Sequence, residues 1–266
     1  MGRFDGRVVI VTGAGNGIGR ACAVAFANEG GTVVAADLEK DSAASVVEEI
    51  ERNGGQARAH QLDVADEASI VELIEATERD LGRLDVLHNN AGIHETQLTA
   101  EARSDQLPTE VWDRVVGVNL RGLWLASKYA APALARAGGG AIVNAASIGG
   151  LVGYPMGGAY GPSKAGIVQL TRVMALELAA NGTRVNCYAP GNTETRMVTQ
   201  YFEGDDGQVD EMVKQQLVGT HLLGRLIRPE EVASAVLFLA SDDASAITGT
   251  CLVVDAGTLA WRGINA

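Results

Sequence analysis

Short apolar runs rich in Val, Ile and Ala alternate along this chain with longer stretches in which apolar residues recur every three or four positions. The first kind, at residues 8–12, 32–36, 57–62, 85–89, 141–145, 184–188 and 251–255, predicts seven strands. The second kind, at 17–28, 41–53, 66–81, 108–136, 159–180 and 229–241, predicts helices, and Gly, Asn or Pro marks most boundaries. Strands that alternate with helices make parallel sheets covered on both faces. The pattern therefore predicts an α/β fold, a single doubly wound domain around a seven-stranded parallel sheet. Two segments break the rhythm: 93–107, polar and loop-like, and 191–226, with Gly204, Asp205, Asp206 and Gly207 at its middle. Both follow the C-terminal ends of predicted strands, where ligands bind in such sheets. The second reads as a lid over a substrate, with a surface loop as the alternative.

Composition narrows the function classes. The 266 residues carry 21 Lys plus Arg against 33 Asp plus Glu, a net charge of −12, so nucleic acid is not an expected partner. At 47% hydrophobic residues the chain can bury a full core without staples. Cys22, Cys187 and Cys251 are odd in number and lack CxxC spacing, which predicts reduced, structural thiols. His60, His88, His94 and His221 form no paired-ligand motif, so no metal is expected. No window reaches the roughly 18 apolar residues of a membrane helix, and residues 1–7 do not read as a leader, so a cytoplasmic protein acting on a small molecule is the expectation.

The candidate chemistry begins at Thr12-Gly13-Ala14-Gly15-Asn16-Gly17-Ile18-Gly19, between a predicted strand and an apolar helix. Glycines there allow a tight turn and close backbone approach, while the helix N–H groups face a pyrophosphate. Asp37 ends the second strand, where an acid accepts hydrogen bonds from both ribose hydroxyls and repels a 2′-phosphate, so NAD is expected over NADP. A capping or turn role is the alternative for Asp37, and the same choice stands for Asp63-Val64, placed to bracket an adenine ring.

Tyr160 and Lys164 stand four apart on a predicted helix, hence on one face, and Ser147 precedes them at a strand end. A free Tyr has a pKa of about 10, too high for a base at neutral pH, and a nearby ammonium lowers it. Removing a hydride from a carbinol carbon requires loss of the hydroxyl proton, which such a Tyr can take while Ser147 holds the oxygen.

Taken together these residues resemble the short-chain dehydrogenase/reductase family along nearly the whole chain. The glycine turn has that family's Thr-Gly-x-x-x-Gly-x-Gly form, Asn89-Asn90-Ala91-Gly92 its Asn-Asn-Ala-Gly, and Ser147 with Tyr160-x-x-x-Lys164 its catalytic residues. The resemblance implies a Rossmann fold, an NAD-dependent oxidoreductase and a homotetramer packed through the long helices containing Asn119 and Tyr160. It implies that Asn119 holds a water in a proton relay, that Asn90, Ala91 and Gly92 sit near the cofactor ribose, and that Pro190-Gly191, Thr193 and Thr195 meet the nicotinamide end. Two positions depart from the family pattern: Thr193, where Ile or Val is usual, and Ala256, where Gly is usual.

The substrate pocket is expected along 94–98, 148–156 and 193–202, with His94, Tyr154, Ser147 and Tyr160 as its polar contacts and a moderately apolar secondary alcohol or ketone as its guest. The tail at 261–264 is apolar enough to reach a neighbouring subunit. An NADPH-linked β-ketoacyl thioester reductase, a sugar-nucleotide epimerase and a non-catalytic NAD-binding protein remain the alternatives. Asp37 argues against the first, the glycine spacing and chain length against the second, and the complete Asn119, Ser147, Tyr160 and Lys164 set against the third.

Overall fold

The computed structural model describes residues 2–203 and 208–260. The centre of the expected lid, 204–207, and the apolar tail at 261–264 lie outside the described residues.

The first unit is strand β1 (Val8–Thr12), helix α1 (Gly17–Asn28) and strand β2 (Thr32–Asp37). Every residue of β1 is buried because the sheet is covered on both faces. Val9 and Val11 join Val33, Ala35 and Phe26 in one core layer, while Ile10 points to the other, with Val34, Leu73 and Leu87. Helix α2 (Lys40–Arg52) leads to β3 (Gln56–Gln61), a largely exposed edge strand that starts one residue earlier than the sequence predicts. Helix α3 (Glu67–Leu81) opens on Asp66, whose carboxylate accepts from Ala68 N, and closes on Gly82 at φ +76°, a left-handed turn that glycine adopts without strain. It feeds β4 (Val86–Asn89).

The single helix expected over 108–136 is interrupted. Helix α4 (Thr109–Val116) runs into a π-type turn at Gly117–Gly122, and α5 (Leu123–Arg136) continues from it. The turn contains Asn119, whose side chain is committed to the main chain of Ile93, and such a tertiary tie has no signature in local periodicity. Strand β5 (Gly140–Ala145), the long α6 (Tyr160–Leu178) and β6 (Thr183–Pro190) follow. Within 191–226 the chain forms two short helices, α7 (Arg196–Thr199) and α8 (Glu211–Val218), before α9 (Pro229–Ala240) and β7 (Cys251–Val254).

The seven strands are ordered β3-β2-β1-β4-β5-β6-β7, and every pair is parallel. The order reverses between β1 and β4, which opens a crevice at their C-terminal ends. Ala256 stands at φ +51°, a backbone that costs an L-residue about 1 kcal/mol, so the family's Gly at this place has a conformational reason. No helix among the described residues is long and apolar enough to cross a membrane.

Candidate active site

A cavity of about 330 Å³ lies over the crevice, walled by Gly13, Asn16, Gly17, Ile18, Asp37, Asp63, Val64, Asn90, Ala91, Gly92, Tyr160, Lys164, Pro190 and Thr195, among others. Most of the expected cofactor residues thus meet in one place. Gly19, Gly191 and Thr193 stand behind the wall. A Cβ on Gly19 would come within 1.9 Å of Gly13 O, and one on Gly191 within 3.1 Å of Asp255 Cα, so both serve close backbone packing. Thr193 is buried, donates its hydroxyl to Gly191 O at 3.1 Å and pairs its backbone with Ile227; it packs inward and does not reach the cavity expected of it.

The residues fit a dinucleotide on three counts. Gly13 and Gly17 have φ of +63° and +53°, the left-handed conformations the tight turn demands. Asn16 at the N-terminus of α1 makes no side-chain cap, so the first-turn N–H groups are not covered by a local acceptor. Asp37 is fixed in place, its Oδ2 accepting from Gly15 N at 2.8 Å and its Oδ1 from Glu39 N at 3.1 Å. That second bond is the turn role the sequence left open, and Asp37 fills it while also lining the cavity. Asp63 does likewise, accepting from Ala65 N at 2.8 Å. Asn90 binds the glycine turn to β4, its Nδ2 donating to Thr12 O and Gly13 O, both at 3.0 Å.

On the other side of the cavity, Ser147 follows the end of β5 and Tyr160 is the first residue of α6. Lys164, one turn on, is buried and donates to Ala145 O at 2.7 Å, with its Nζ 5.4 Å from the Tyr160 ring centroid. Burial pushes the Lys164 ammonium down to about 8. Tyr160 is only partly covered at the cavity wall, yet it lies deep enough that desolvation pushes its phenol up to about 12, while a hydrogen bond with Ser147 pulls the other way. The lowering expected from Lys164 does not arise here, since its charge is itself penalised by burial and its Nζ donates to a carbonyl.

Asn119 is fully buried and fastens the site together. Its Oδ1 accepts from Ile93 N at 2.8 Å, and its Nδ2 donates to Ile93 O at 2.9 Å and to Ser163 Oγ at 3.1 Å. Ser163 in turn donates to Tyr160 O at 2.7 Å.

His94 and Tyr154, expected as polar contacts of the substrate, do not line the cavity itself but stand beside Tyr160. His94 is buried, its Nδ1 accepts from Thr96 N at 3.2 Å, and its Nε2 lies 3.1 Å from the Tyr154 hydroxyl. Its ring centroid is 4.7 Å from that of Tyr160, and Thr96 Oγ1 lies 2.7 Å from the Tyr201 hydroxyl. A chain of polar groups thus runs from Tyr154 through His94 and Thr96 to Tyr201 beside the Tyr160 ring. Desolvation lowers the His94 pKa, with Glu95 opposing, which favours the uncharged imidazole.

The sequence reading missed two groups. Glu95 is completely buried, and its carboxylate accepts from Ala159 N at 2.9 Å and from Tyr160 N at 3.1 Å. The available signal was the start of the helix at Tyr160, preceded by Gly157, Gly158 and Ala159, none of which carries a side-chain acceptor for its first N–H groups. Tyr188 lines the cavity from β6, backed by His88. Among the described residues no cluster of His, Cys, Asp and Glu is arranged to hold a metal ion.

Residues 13–258 match a family model described as enoyl-(acyl carrier protein) reductase. Cyclohexanol dehydrogenase of Acinetobacter sp. (strain SE19) is 40% identical over 253 residues, covering 95% of each chain. The chain belongs to the short-chain dehydrogenase/reductase family. The 3-oxoacyl-[acyl-carrier-protein] reductase of Thermotoga maritima is 38% identical, with 96% of this chain and 98% of that one covered. The crystal structure of a putative short-chain alcohol dehydrogenase from Sinorhizobium meliloti 1021 superposes with a TM-score of 0.89 at 35% identity, covering 97% and 98% of the two chains. As a short-chain dehydrogenase/reductase the protein is an oxidoreductase of alcohol and ketone groups that uses a nicotinamide cofactor, NAD or NADP.

Proposed function

We propose that this short-chain dehydrogenase/reductase interconverts a moderately apolar secondary alcohol and its ketone, with NAD as the cofactor and Tyr160 as general acid and base. The observation that carries this reading is the meeting of Tyr160 and Lys164 at one wall of a cavity whose wall also includes Asp37, with Ser147 behind that wall and hydrogen-bonded to Tyr160. Bound there, the dinucleotide would accept or donate the hydride. Gly13, Asn16, Gly17, Ile18 and the first turn of α1 would hold its phosphates, Asp37 its adenosine ribose, and Asp63 with Val64 the adenine. Asn90, Ala91 and Gly92 would flank the second ribose, and Pro190 and Thr195 the carboxamide end.

In the oxidative direction Ser147 holds the substrate oxygen and Tyr160 takes its proton. A phenol pushed up to about 12 ionises reluctantly, so added positive charge at this wall favours the reaction; the oxidised nicotinamide ring would bring such a charge when bound, beside the Lys164 Nζ 5.4 Å from the Tyr160 ring centroid. Asn119, with its side chain committed to Ile93 and Ser163, keeps one Oδ1 lone pair for a relay water. His94 and Tyr154 contact the remainder of the substrate, and the segments 191–203 and 208–226 cover it. Outward-facing Trp112, Trp124, Val173 and Leu176 on α4, α5 and α6 support a homotetramer built on those helices, and the cytoplasm is the proposed location.

The test is NADH formation from a panel of cyclic, terpenoid and steroidal secondary alcohols, repeated with NADP and with Tyr160→Phe and Asp37→Ser. Tyr160→Phe is expected to lower kcat by about 10² to 10⁴-fold with NADH binding retained. Asp37→Ser is expected to erode the preference for NAD by about 10 to 100-fold, the worth of a charge-assisted hydrogen bond. A strong preference for NADPH together with β-ketoacyl thioesters would favour the second reading, which the Thermotoga maritima relative supports.

A further inference from the structure

Helix α6 delivers Tyr160 as its first residue, and the first turn of any helix leaves N–H groups without intrahelical acceptors. Gly161 N is paired with Gly157 O and Ser163 N with Ala159 O, and Pro162 has no N–H. Ala159 N and Tyr160 N remain, and Ala159 is fully buried, so water cannot serve it. Ala159 makes no side-chain cap. Both donors are instead taken by Glu95, 64 residues earlier in the chain: Oε1 accepts from Ala159 N at 2.9 Å, and Oε2 accepts from Tyr160 N at 3.1 Å.

We propose that Glu95 is a positioning residue for Tyr160, its buried carboxylate capping α6 across the site so that the phenol is held at the end of β5 next to Ser147. A negative charge at a helix N-terminus is favourable, and here it also pins the 93–107 segment to the catalytic helix. The cap has an electrostatic consequence. Tyr160 is faced by Lys164 of its own helix, by Ser147, by His94 and Glu95 after β4, by Tyr154 after β5, by Tyr188 on β6 and by Tyr201 after α7. Within that set Glu95 brings a carboxylate, and its charge holds the phenol higher than burial would. A group that only filled space would leave the pH profile of turnover unmoved.

This inference rests on the acid and base role proposed for Tyr160, and its test separates the two. In Glu95→Ala, kcat is expected to fall by more than tenfold, given that displacements near 1 Å can cost about 10²-fold, while the Kd for NADH stays within twofold. Glu95→Gln keeps an acceptor without the charge, so it is expected to recover kcat to within about threefold of the parent and to move the rising limb of kcat/KM for alcohol oxidation to lower pH. Hydrogen exchange at Ala159 and Tyr160 is expected to quicken in Glu95→Ala, with β5 unchanged. Unaltered exchange, or an unmoved limb in Glu95→Gln, overturns the proposal, and the Gln variant decides it should the Ala variant not fold. If Tyr160→Phe left turnover intact, the functional reading would fall, whereas the exchange result would still decide the cap.

Discussion

Two histidine–tyrosine pairs stand near the cavity, one with Tyr188 in its wall and one with His94 against the Tyr160 ring, alike in hydrogen-bond distance and unlike in surroundings. His88 Nε2 lies 3.1 Å from the Tyr188 hydroxyl, and His94 Nε2 lies 3.1 Å from the Tyr154 hydroxyl. His88 is on β4, inside the sheet, and burial alone pushes it down to about 3. Its Nδ1 has no hydrogen-bond partner among the described residues. Tyr188 passes its own hydroxyl proton toward Asn90 Oδ1 at 3.5 Å, so the pair ends beneath the glycine turn. His94 has a partner on each nitrogen, a carboxylate alongside and the Tyr160 ring 4.7 Å away. The same two side chains thus buttress the wall beneath the glycine turn in one place and surround the Tyr160 ring with polar groups in the other. Which of these a pair does is set by its third partner.

The comparison breaks first on stability. A histidine whose folded pKa lies near 3 and whose unfolded value is 6.5 contributes fully above pH 6.5, and that contribution is lost as the pH falls toward 3. Urea unfolding at a series of pH values is expected to show stability dropping by up to about 1.4 kcal/mol per pH unit below about pH 6. In His88→Val with Tyr188→Phe that component is expected to vanish, and the loss at pH 7 to be small, because both polar partners go together. A parallel decline in parent and variant would mean that the buried pair carries no such load.

The cofactor side was the more legible half in sequence. β1 and α1 occupy 8–12 and 17–28 as the pattern predicts, because two-sided burial makes an unbroken apolar run and glycines mark the turn that follows. Asp37 and Asn90 are found where their motifs put them, since motif and strand end coincide. What escaped is held by contacts between distant segments. Asn119 reads as a poor helix former inside one long helix, and only Ile93, 26 residues away, explains the π-type turn around it. Glu95 looks like another acid in a polar loop, although it is completely buried by the return of the chain before α6. Thr193, expected at the cofactor, turns inward because Ile227 offers its backbone a partner. His88 was visible only as a histidine with no metal-binding companion.

A smaller effect sharpens the comparison from the catalytic side. His94→Ala removes the bridge between Tyr154 and Thr96 and uncovers one face of Tyr160. The expected result is a fall of about tenfold or more in kcat/KM for the alcohol, with the KM for NAD unchanged, as befits a contact made with the substrate portion of the site. His88→Val should do the reverse, touching the cofactor KM modestly and leaving discrimination among alcohols as it was. Steady-state kinetics on three alcohols of different shape separates the two, and a uniform loss for both variants would erase the distinction.

Tyr154→Phe asks for the smallest and most specific change. The ring packs against the 149–157 loop, where a Cβ on Gly149 or on Gly157 would come within 2.4 Å of it, and Phe keeps that packing. Only the hydroxyl is lost, and with it the group 3.1 Å from His94 Nε2. A neutral hydrogen bond is worth about 0.5 to 1.5 kcal/mol, so kcat/KM should fall by about two- to tenfold. If Tyr154 and His94 read a second polar group on the substrate, the loss will concentrate on alcohols that carry one and nearly spare simple cyclic alcohols. Tyr188→Phe, the matching change in the other pair, should leave that ratio where it was. An equal loss across all alcohols in Tyr154→Phe would instead assign the hydroxyl to holding His94 in place, and the two pairs would then differ in position and not in kind.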